Sequence, residues 1–314
     1  MADELQARVI MDFSRVRAKA FFRDVVAYVR GKPNDLLPFD AVKERLRIGG
    51  PIYRGVRTVP VAQIVGSVNR YRDFDRAFLP TQSHTAERWQ KINRAFYEEV
   101  NLPPVLLFKV GEAYFVVDGN HRVSVAKEQG QAFIDAEVRE CAVRVPLTAE
   151  VQPEDLVILG ERVEFLERSG LDRLRSGAQI ELTVLGGYDR VLEHIAVHRY
   201  FMGLDWRRDI GEDEAVVHWY DVVYLPIVRV IGEADVLSDF PGRTEGDLYL
   251  WVIDHQHFLA QQGEQLSEPA AAAQEFVEQL ETGSLLPVSE TPKGSAPSAE
   301  SRLAAAGGAE RDAG

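Results

Sequence analysis

The stretch DGNHR, residues 118–122, brings together side chains and backbone groups that bind anions. It follows the β-forming run YFVV and precedes VSVAKEQG, whose apolar spacing predicts a helix that stops at Gly130. A turn from strand to helix directs free amide N–H groups and the positive end of the helix dipole toward one point. Phosphate groups bind well at such a point. The sequence therefore predicts an anion site here.

Each residue of this stretch has a possible role in binding phosphate. Gly119 permits a turn, or a close ligand approach, that a Cβ would obstruct. Asn120 and His121 can present donors beside the free amides, and Arg122 can hold a phosphate through two parallel hydrogen bonds. Asp118 could bind Mg²⁺ or orient His121. An ordinary polar turn is the alternative, because Asp and Gly are common turn residues.

A second polar cluster lies in the loop that follows VPVAQIVGS. Its candidate phosphate-binding residues are Ser67, Asn69, Arg70 and Arg72. The two arginines could place positive charge near the terminal phosphates, whereas a solvated loop with ordinary surface arginines is the alternative. Phosphotransfer also needs a carboxylate base, and the candidates for it are Asp73, Asp75 and Asp118.

Histidines in the second half form a third candidate site. His194 and His198 are four residues apart on a predicted helix, a spacing that can bind a metal ion from one face. His218, His255 and His257 could complete such a site. Residue 195 is Ile, where a zinc protease would require Glu. Histidines among aromatic residues are more often core-edge or interface residues with satisfied nitrogens.

Residues from about 56 to 145 resemble the N-terminal domain of the ParB/sulfiredoxin superfamily. The resemblance rests on VPVAQI, the NRYRDFD loop, the helix around Trp89, LPPVLLF, and YFVVDGNHRVSVAKEQG closed by IDAEV. It implies a bound nucleotide (ATP, ADP or CTP) with its phosphates at the glycine-containing turn, together with Mg²⁺ at Asp118. Members include CTP-hydrolysing partitioning proteins, ATP-dependent sulfinic acid reductases and an ADP-dependent free-serine kinase.

Departures from the superfamily pattern narrow the expected activity. Asn120 stands where sulfiredoxins have their catalytic cysteine, and Cys141 lies on the closing strand instead, so sulfinic acid reduction is not expected. Partitioning proteins carry Gly-Glu-Arg-Arg at this turn and a helix-turn-helix region afterwards. The turn here is GNHR and no clear helix-turn-helix follows, so DNA binding is the least favoured role. The kinase has an acidic base in the early loop, where this chain reads GSVNR.

Two classes of function remain. The first is a nucleotide-binding protein that hydrolyses an NTP or transfers a phosphate to a small molecule, with Asp118 or Asp73 as the catalytic carboxylate. The alternative is a non-catalytic, nucleotide-gated regulatory or interaction protein whose acidic helical half changes partners when ligand binds. Aromatic residues in that half could also form a homodimer surface.

Composition sets broader limits. The chain has 314 residues, 46% hydrophobic and 27% charged, which is typical of soluble globular proteins. Residues 1–146 hold 23 Lys and Arg against 18 Asp and Glu, so the net charge of −13 leaves −18 for the remainder. Such a balance argues against broad, non-specific DNA binding. The single cysteine, the absence of a signal-like N-terminus and the lack of a long apolar run favour a cytoplasmic protein without membrane contact.

We expect an α+β fold in four parts. These are an N-terminal helical segment 1–50, a ParB/sulfiredoxin-like nucleotide-binding domain 51–146, a mainly helical accessory domain 147–263 and a flexible or disordered tail 264–314. Within the accessory domain, IELTVLGG is expected to form a strand and Pro226 to kink or split a long apolar segment. Thr244 and Asp247 have the spacing of a helix capping box.

Overall fold

The computed structural model of the protein describes residues 2–31 and 34–282, which form an α+β fold. The strands are β1 Leu37–Pro38, β2 Pro51–Pro60, β3 Ile64–Ser67, β4 Val105–Val110, β5 Ala113–Asp118 and β6 Phe133–Cys141. The helices of the first half are α1 Ala2–Arg30, α2 Phe39–Leu46, α3 Ala86–Tyr97 and α4 Asn120–Glu128. Those of the second half are α5 Asp155–Ser169, α6 Leu171–Leu174, α7 Gly187–Trp206, α8 Glu212–Trp219, α9 Leu225–Glu233, α10 Glu245–Gln261 and α11 Pro269–Glu281.

The strands form one mixed sheet in the order β1-β3-β5-β4-β6-β2. Strands β4 and β5 form an antiparallel hairpin, whereas RTVPVAQIVGS divides between β2 and β3 with a short 3-10 turn between them. Strand β2 pairs with β6 at one edge of the sheet. Strand β1, from the segment expected to be purely helical, pairs with β3 at the other edge.

The topology places the loop after β3 and the turn after β5 at the same end of the sheet, where both strands finish. Strands β3 and β5 are parallel neighbours, with Ser67 opposite Val116. Strand β3 ends at Ser67 and β5 ends at Asp118, so the loop after β3 and the turn after β5 leave the sheet side by side. Ligands of α/β sheets commonly bind outside the carboxyl ends of the strands.

Helices α1 and α3 cover this region and hold α4 in place. Phe13 of α1 packs against Trp89 of α3, with ring centroids 5.7 Å apart, and both belong to a buried cluster that includes Val125 of α4. The indole N–H of Trp89 donates to the Ser124 hydroxyl at 2.9 Å. The buried face of α3 around Trp89 therefore positions α4, whose N-terminus lies at the ends of β3 and β5.

Helices are the only regular elements among the described residues of the second half, and its core is continuous with the sheet. One buried cluster includes Phe115 of β5 and Cys141 of β6 together with Phe165 of α5, Trp219 of α8 and Phe276 of α11. The boundary expected near residue 146 therefore separates two kinds of secondary structure but not two hydrophobic cores.

The expectation of a strand in IELTVLGG is wrong. Residues 180–183 run without strand pairing, because side chains satisfy their backbone groups instead. The Leu182 amide donates to the Tyr188 hydroxyl at 3.3 Å, and the Thr183 amide donates to the Asp247 carboxylate at 2.9 Å. Gly246 lies so close that an added Cβ would stand 2.4 Å from the Glu181 carbonyl oxygen. This segment is thus anchored to the start of α10.

Two other local expectations are confirmed. The apolar segment around Pro226 divides into α8 and α9, joined by a π-helical turn over Tyr220–Tyr224. Proline lacks the N–H that a regular helix would use, so the wider turn directly before it has a physical cause. Thr244 and Asp247 form the complete capping box of α10.

Residues 212–233 are the one described segment long and apolar enough to span a membrane by length and composition. Within the fold this segment packs against its helical neighbours, and Trp219, Ile227 and Ile231 are each at most 1% exposed. A core helix of a soluble globular protein has the same composition, and the packing agrees with that role.

The flexible tail was expected to begin at residue 264, and this boundary is too early. Residues 269–281 form α11, which starts with Pro269 at its first position. Ala272, Ala273 and Phe276 are buried in the core of the second half. The alanine-rich composition therefore belongs to a packed helix. The rest of the expected tail, residues 283–314, lies outside the described residues.

Candidate functional site

The junction of β5 and α4 is built around Gly119. Its φ of +106° is open to glycine and unfavourable for other residues. A Cβ added there would lie 2.6 Å from the Val105 side chain. As the N-cap residue it also lacks a side chain to accept from the first amides of α4. Those amides are therefore left without a capping side chain, and the positive end of the helix dipole is uncovered.

A cavity of about 310 Å³ opens at this N-terminus. Three elements form its walls, namely the β5–α4 junction, the loop after β3 and one face of α3. The lining residues are Asn69, Arg70, Arg88, Ile92, Val117, Asp118, Gly119, Asn120, His121 and Arg122. All five residues of the DGNHR stretch thus line the same cavity as Asn69 and Arg70 from the early loop.

Two buried polar atoms beside this cavity have no hydrogen-bond partner among the described residues. They are the Asn120 side-chain oxygen and Nδ1 of His121. Both residues are only 5% exposed. A buried polar group without a partner costs about 1–3 kcal/mol, so native structures rarely leave one without a protein, ligand or water partner. The Asn120 oxygen requires a donor, whereas Nδ1 of His121 can donate or accept according to its tautomer.

His121 is electrically neutral at neutral pH. Burial lowers its pKa to about 4, and the positive charges of Arg88 and Arg70 contribute further. Its ring lies edge-on to Phe74, with centroids 5.2 Å apart. Burial disfavours any charge, whereas the charges of Arg88 and Arg70, which also disfavour a positive imidazole, would favour an anion. The cavity therefore combines a neutral imidazole with a positive field from two arginines.

Arg122 is held by the protein itself. Its guanidinium donates to the carbonyl oxygens of Pro103 and Pro104 and forms an ion pair with Asp118. Its side chain is only 13% exposed. These contacts tie α4 to the segment that leads into β4. The predicted two-bond grip on phosphate would thus require Arg122 to release part of this network.

Asp118 borders the cavity with a side chain that is 63% exposed. It pairs with Arg122, whereas the expected orientation of His121 would need it to contact the imidazole, whose Nδ1 has no partner among the described residues. Asp118 is therefore available to a metal or a substrate only through its exposed side.

The early loop divides between residues that reach the cavity and residues that support it. Asn69 and Arg70 line the cavity. Ser67 is fully buried, donates to the Val116 carbonyl at 3.2 Å and accepts from the Arg70 amide at 3.4 Å. Arg72 lies outside the cavity lining, with its guanidinium 5.6 Å from the centre of the Tyr71 ring. The structure thus brings Arg70, but not Arg72, to the cavity.

The two other candidate bases are engaged in contacts of their own. Asp73 pairs with Arg70 at 3.1 Å and lies 3.6 Å from His84. Asp75 is 1% exposed, accepts from the amides of Ala77 and Leu79 and pairs with Arg23 at 2.8 Å. Neither aspartate belongs to the cavity lining. Asp75 holds the loop in shape, and Asp73 holds Arg70.

Arg88 is the cavity residue that the sequence did not reveal. It lies on α3 four residues before Ile92, and both side chains face the cavity. The apolar residues around Trp89 indicate which face of α3 is buried, and Arg88 lies beside that face. The sequence does not show that the neighbour of this face is α4, and only the packing of α3 against α4 places Arg88 in the cavity.

The histidines of the second half do not form a metal site. His194 Nδ1 is hydrogen-bonded to the Tyr249 hydroxyl at 3.0 Å, and His198 Nε2 is hydrogen-bonded to His218 Nδ1 at 2.8 Å. Within the described chain, no group of three or more His, Cys, Asp or Glu side chains is arranged to hold a metal ion. The simpler alternative, histidines with satisfied nitrogens, accounts for the contacts of His194, His198 and His218, whereas Nε2 of the buried His255 has no partner among the described residues.

No model of a known protein family matches this chain. No curated protein matches it either. The resemblance of residues 56–145 to the ParB/sulfiredoxin superfamily therefore stays a prediction from the sequence, and the chemistry of the site is argued below from its own residues.

Proposed function

We propose that the cavity at the N-terminus of α4 binds the phosphate groups of a nucleoside di- or triphosphate. The observation that carries this proposal is the uncapped N-terminus of α4, which opens into a cavity lined by Arg70 and Arg88 and lies beside the unpartnered Nδ1 of His121. Phosphate oxygens accept from backbone amides, and a helix N-terminus favours their charge. ATP, ADP and CTP are the nucleotides that the superfamily resemblance suggests.

The electrostatic surroundings support an anionic ligand. Arg70 reaches the cavity from the early loop and Arg88 from α3, and both lower the pKa of His121 through their charge. Arg70 is held by Asp73 and so approaches the cavity in an ordered position. A neutral ligand would gain little from two guanidinium groups and a helix N-terminus. A polyphosphate carries enough negative charge to interact with all three.

Mg²⁺ fits this site only together with the nucleotide. Asp118 is the one carboxylate that lines the cavity, and the described residues hold no cluster of three metal-ligating side chains. Magnesium is commonly bound by one or two carboxylates plus substrate phosphates. We therefore assign Asp118 as the protein ligand of a nucleotide-bound Mg²⁺, which would neutralise phosphate charge.

Binding without turnover is the form of the proposal that the geometry favours. Asp73 is paired with Arg70, and Asp75 is buried under its own amide and arginine contacts. Asp118 is the remaining base for hydrolysis or phosphotransfer and must first leave Arg122. We therefore place nucleotide-gated regulation ahead of catalysis. A cytoplasmic location agrees with the one buried cysteine, Cys141.

Thermal unfolding of the purified chain with ATP, ADP, CTP and inorganic phosphate, each with and without Mg²⁺, tests the proposal. A ligand at 100 times its Kd stabilises the native state by about 2.7 kcal/mol, which is a shift of roughly 4–5 °C for a chain of this size. Arg88→Ala should remove most of the shift. Arg72→Ala is the matched control, since Arg72 is an arginine of the early loop that lies outside the cavity.

The proposal fails if none of these ligands shifts the unfolding temperature at millimolar concentration. It also fails if Arg72→Ala and Arg88→Ala reduce the shift equally, since the binding surface would then be the loop and not the cavity. Release of phosphate by the wild type, abolished by Asp118→Asn with the thermal shift retained, would establish turnover in place of gating.

A further inference from the structure

A second cavity, of about 840 Å³, adjoins the cavity at the N-terminus of α4. We call it the large cavity and the one at the helix N-terminus the small cavity. Ile92 of α3 and Arg122 of α4 line both of them. Arg122 is held in place by Asp118 and by two proline carbonyl oxygens. A single ligand that lies over Ile92 and Arg122 would therefore occupy both cavities.

The large cavity has a mainly apolar lining. Val125 and Ala126 of α4 are each 2% exposed where they border it. The end of α3, the segment before β4 and the start of β6 supply its other apolar walls, among them Phe96, Val100, Leu102 and Phe133. Cavities of about 300–1,000 Å³ with an apolar lining and a few polar groups are typical of sites for small organic molecules. The large cavity thus suits an uncharged, ring-shaped group better than it suits a phosphate.

Charge also distinguishes the two cavities. Arg70 and Arg88 line the small cavity, whereas Glu99 and Asp135 line the large one. Both acidic side chains are exposed, and neither forms an ion pair with the described residues. Asp135 accepts a hydrogen bond from the Thr58 hydroxyl at 3.0 Å, which leaves its other lone pairs available.

The arginines near the large cavity do not neutralise these two acids. Arg122, the one that belongs to its lining, is already paired. Arg8, Arg57 and Arg94 lie outside the lining. The guanidinium of Arg8 lies 4.2 Å from the centre of the Tyr97 ring, and Arg57 donates to a main-chain carbonyl oxygen. The large cavity therefore offers acceptors and disfavours an anion.

We propose that the large cavity holds the base of the nucleotide whose phosphates lie in the small cavity, and that Glu99 and Asp135 select adenine or cytosine over their deaminated counterparts. The inference rests on the proposed function and assigns the part of the ligand that the phosphate site leaves open. Adenine and cytosine carry an amino group where hypoxanthine and uracil carry a carbonyl oxygen. A carboxylate accepts from the amino group and repels the carbonyl oxygen. The reverse orientation would place phosphates beside two carboxylates, so the charges set the direction of the ligand.

Calorimetric titration of the full chain at constant Mg²⁺ tests the assignment. The probes are ATP and its deaminated counterpart ITP, CTP and its deaminated counterpart UTP, and inorganic tripolyphosphate. Whichever of ATP and CTP binds more tightly should exceed its deaminated counterpart by at least about tenfold, the size of one hydrogen bond to a charged group. It should also exceed tripolyphosphate by at least about tenfold, because tripolyphosphate has no group that fills the large cavity.

Variants of the large cavity separate the base from the phosphates. Phe133→Ala should weaken binding of the preferred nucleotide by at least about fivefold, the lower end for a contact between a base and an aromatic ring, and leave tripolyphosphate binding unchanged. Tyr53→Ala is the matched control, because Tyr53 of β2 is 60% exposed, as Phe133 is 58% exposed, and lies outside the lining. Glu99→Gln combined with Asp135→Asn should abolish the preference for the amino-bearing base and keep tripolyphosphate binding.

The possible failures are distinguishable. Equal affinities for nucleotides and tripolyphosphate, with no effect of Phe133→Ala, would overturn this inference and leave the phosphate site standing. Tighter binding of ITP than of ATP, or of UTP than of CTP, would also overturn it, as would a base preference that survives the double variant. If no probe binds, tripolyphosphate included, the phosphate site itself is wrong and this inference falls with it. Circular dichroism of each variant checks that the fold is intact.

Discussion

Acid should weaken this fold through His121, and the size of the effect follows from its burial. The pKa of His121 is lowered from 6.5 to about 4 by desolvation and by the charges of Arg88 and Arg70. As pH falls below about 6.5, the unfolded chain takes up a proton at this residue, while the folded chain does not until about pH 4. The free energy of unfolding therefore decreases across this interval.

The magnitude is measurable. Between about pH 7 and about pH 5, a shift of this size lowers the free energy of unfolding by about 2 kcal/mol. His194, whose pKa burial also lowers to about 4, adds a similar loss of its own. Urea unfolding at the two pH values gives the total for the wild type. The same measurement on His121→Asn, which cannot titrate, should give a loss smaller by about 2 kcal/mol.

The comparison of wild type and variant isolates His121, because every other titrating group is common to both proteins. Equal losses in the two would refute the reasoning and show that His121 is not buried in neutral form. The proposed ligand adds a second check. A polyphosphate beside His121 would raise the pKa of the imidazole, so saturating nucleotide should reduce the acid-induced loss in the wild type and leave that of His121→Asn unchanged.

Three further substitutions test the framework of the site and the fold. Gly119→Ala forces an unfavourable φ and a clash with Val105, so we expect a loss of at least about 1–3 kcal/mol in urea unfolding, together with loss of the nucleotide-induced thermal shift. Asp75→Asn removes the charge that pairs with the partly exposed Arg23 and should cost about 1–2 kcal/mol in the same assay; a loss below about 0.5 kcal/mol, the size of a neutral surface change, would contradict its structural role. Thr244→Ala removes the cap of α10 and should cost about 1 kcal/mol, with no change in nucleotide binding.

The parts of the fold that sequence predicted are those fixed by local chemistry. The turn at Gly119 and the start of α4 follow from a strand pattern, a glycine and a helical period within a dozen residues. The capping box at Thr244 is equally local. The strand prediction for IELTVLGG was wrong because backbone amides of this segment donate to the side chains of Tyr188 and Asp247 and not to another strand. These partners lie mainly outside the octapeptide, so its sequence does not reveal them.

The candidate site divides along the same line. The DGNHR stretch and Arg70 could be predicted because they adjoin strand ends, which the sheet brings together. Arg88 could not, since its place depends on how α3 packs against α4. Asp73 and Asp75 are close in sequence and equal in charge. Asp73 pairs with Arg70 of the early loop, whereas Asp75 is buried and pairs with Arg23 of α1. Only the three-dimensional packing separates them.

Arg122 shows why this distinction matters for experiment. From sequence alone, Arg122→Ala is the obvious test of phosphate binding. In the structure, its guanidinium joins Asp118 and the carbonyl oxygens of Pro103 and Pro104 to α4. Removing it leaves these groups without their donor and loosens the helix that supplies the amides, so binding and stability would fall together whatever the ligand. Arg88 makes no hydrogen bond or ion pair with the described residues, unlike Arg122. A loss of nucleotide binding at unchanged stability in Arg88→Ala would therefore implicate the cavity itself.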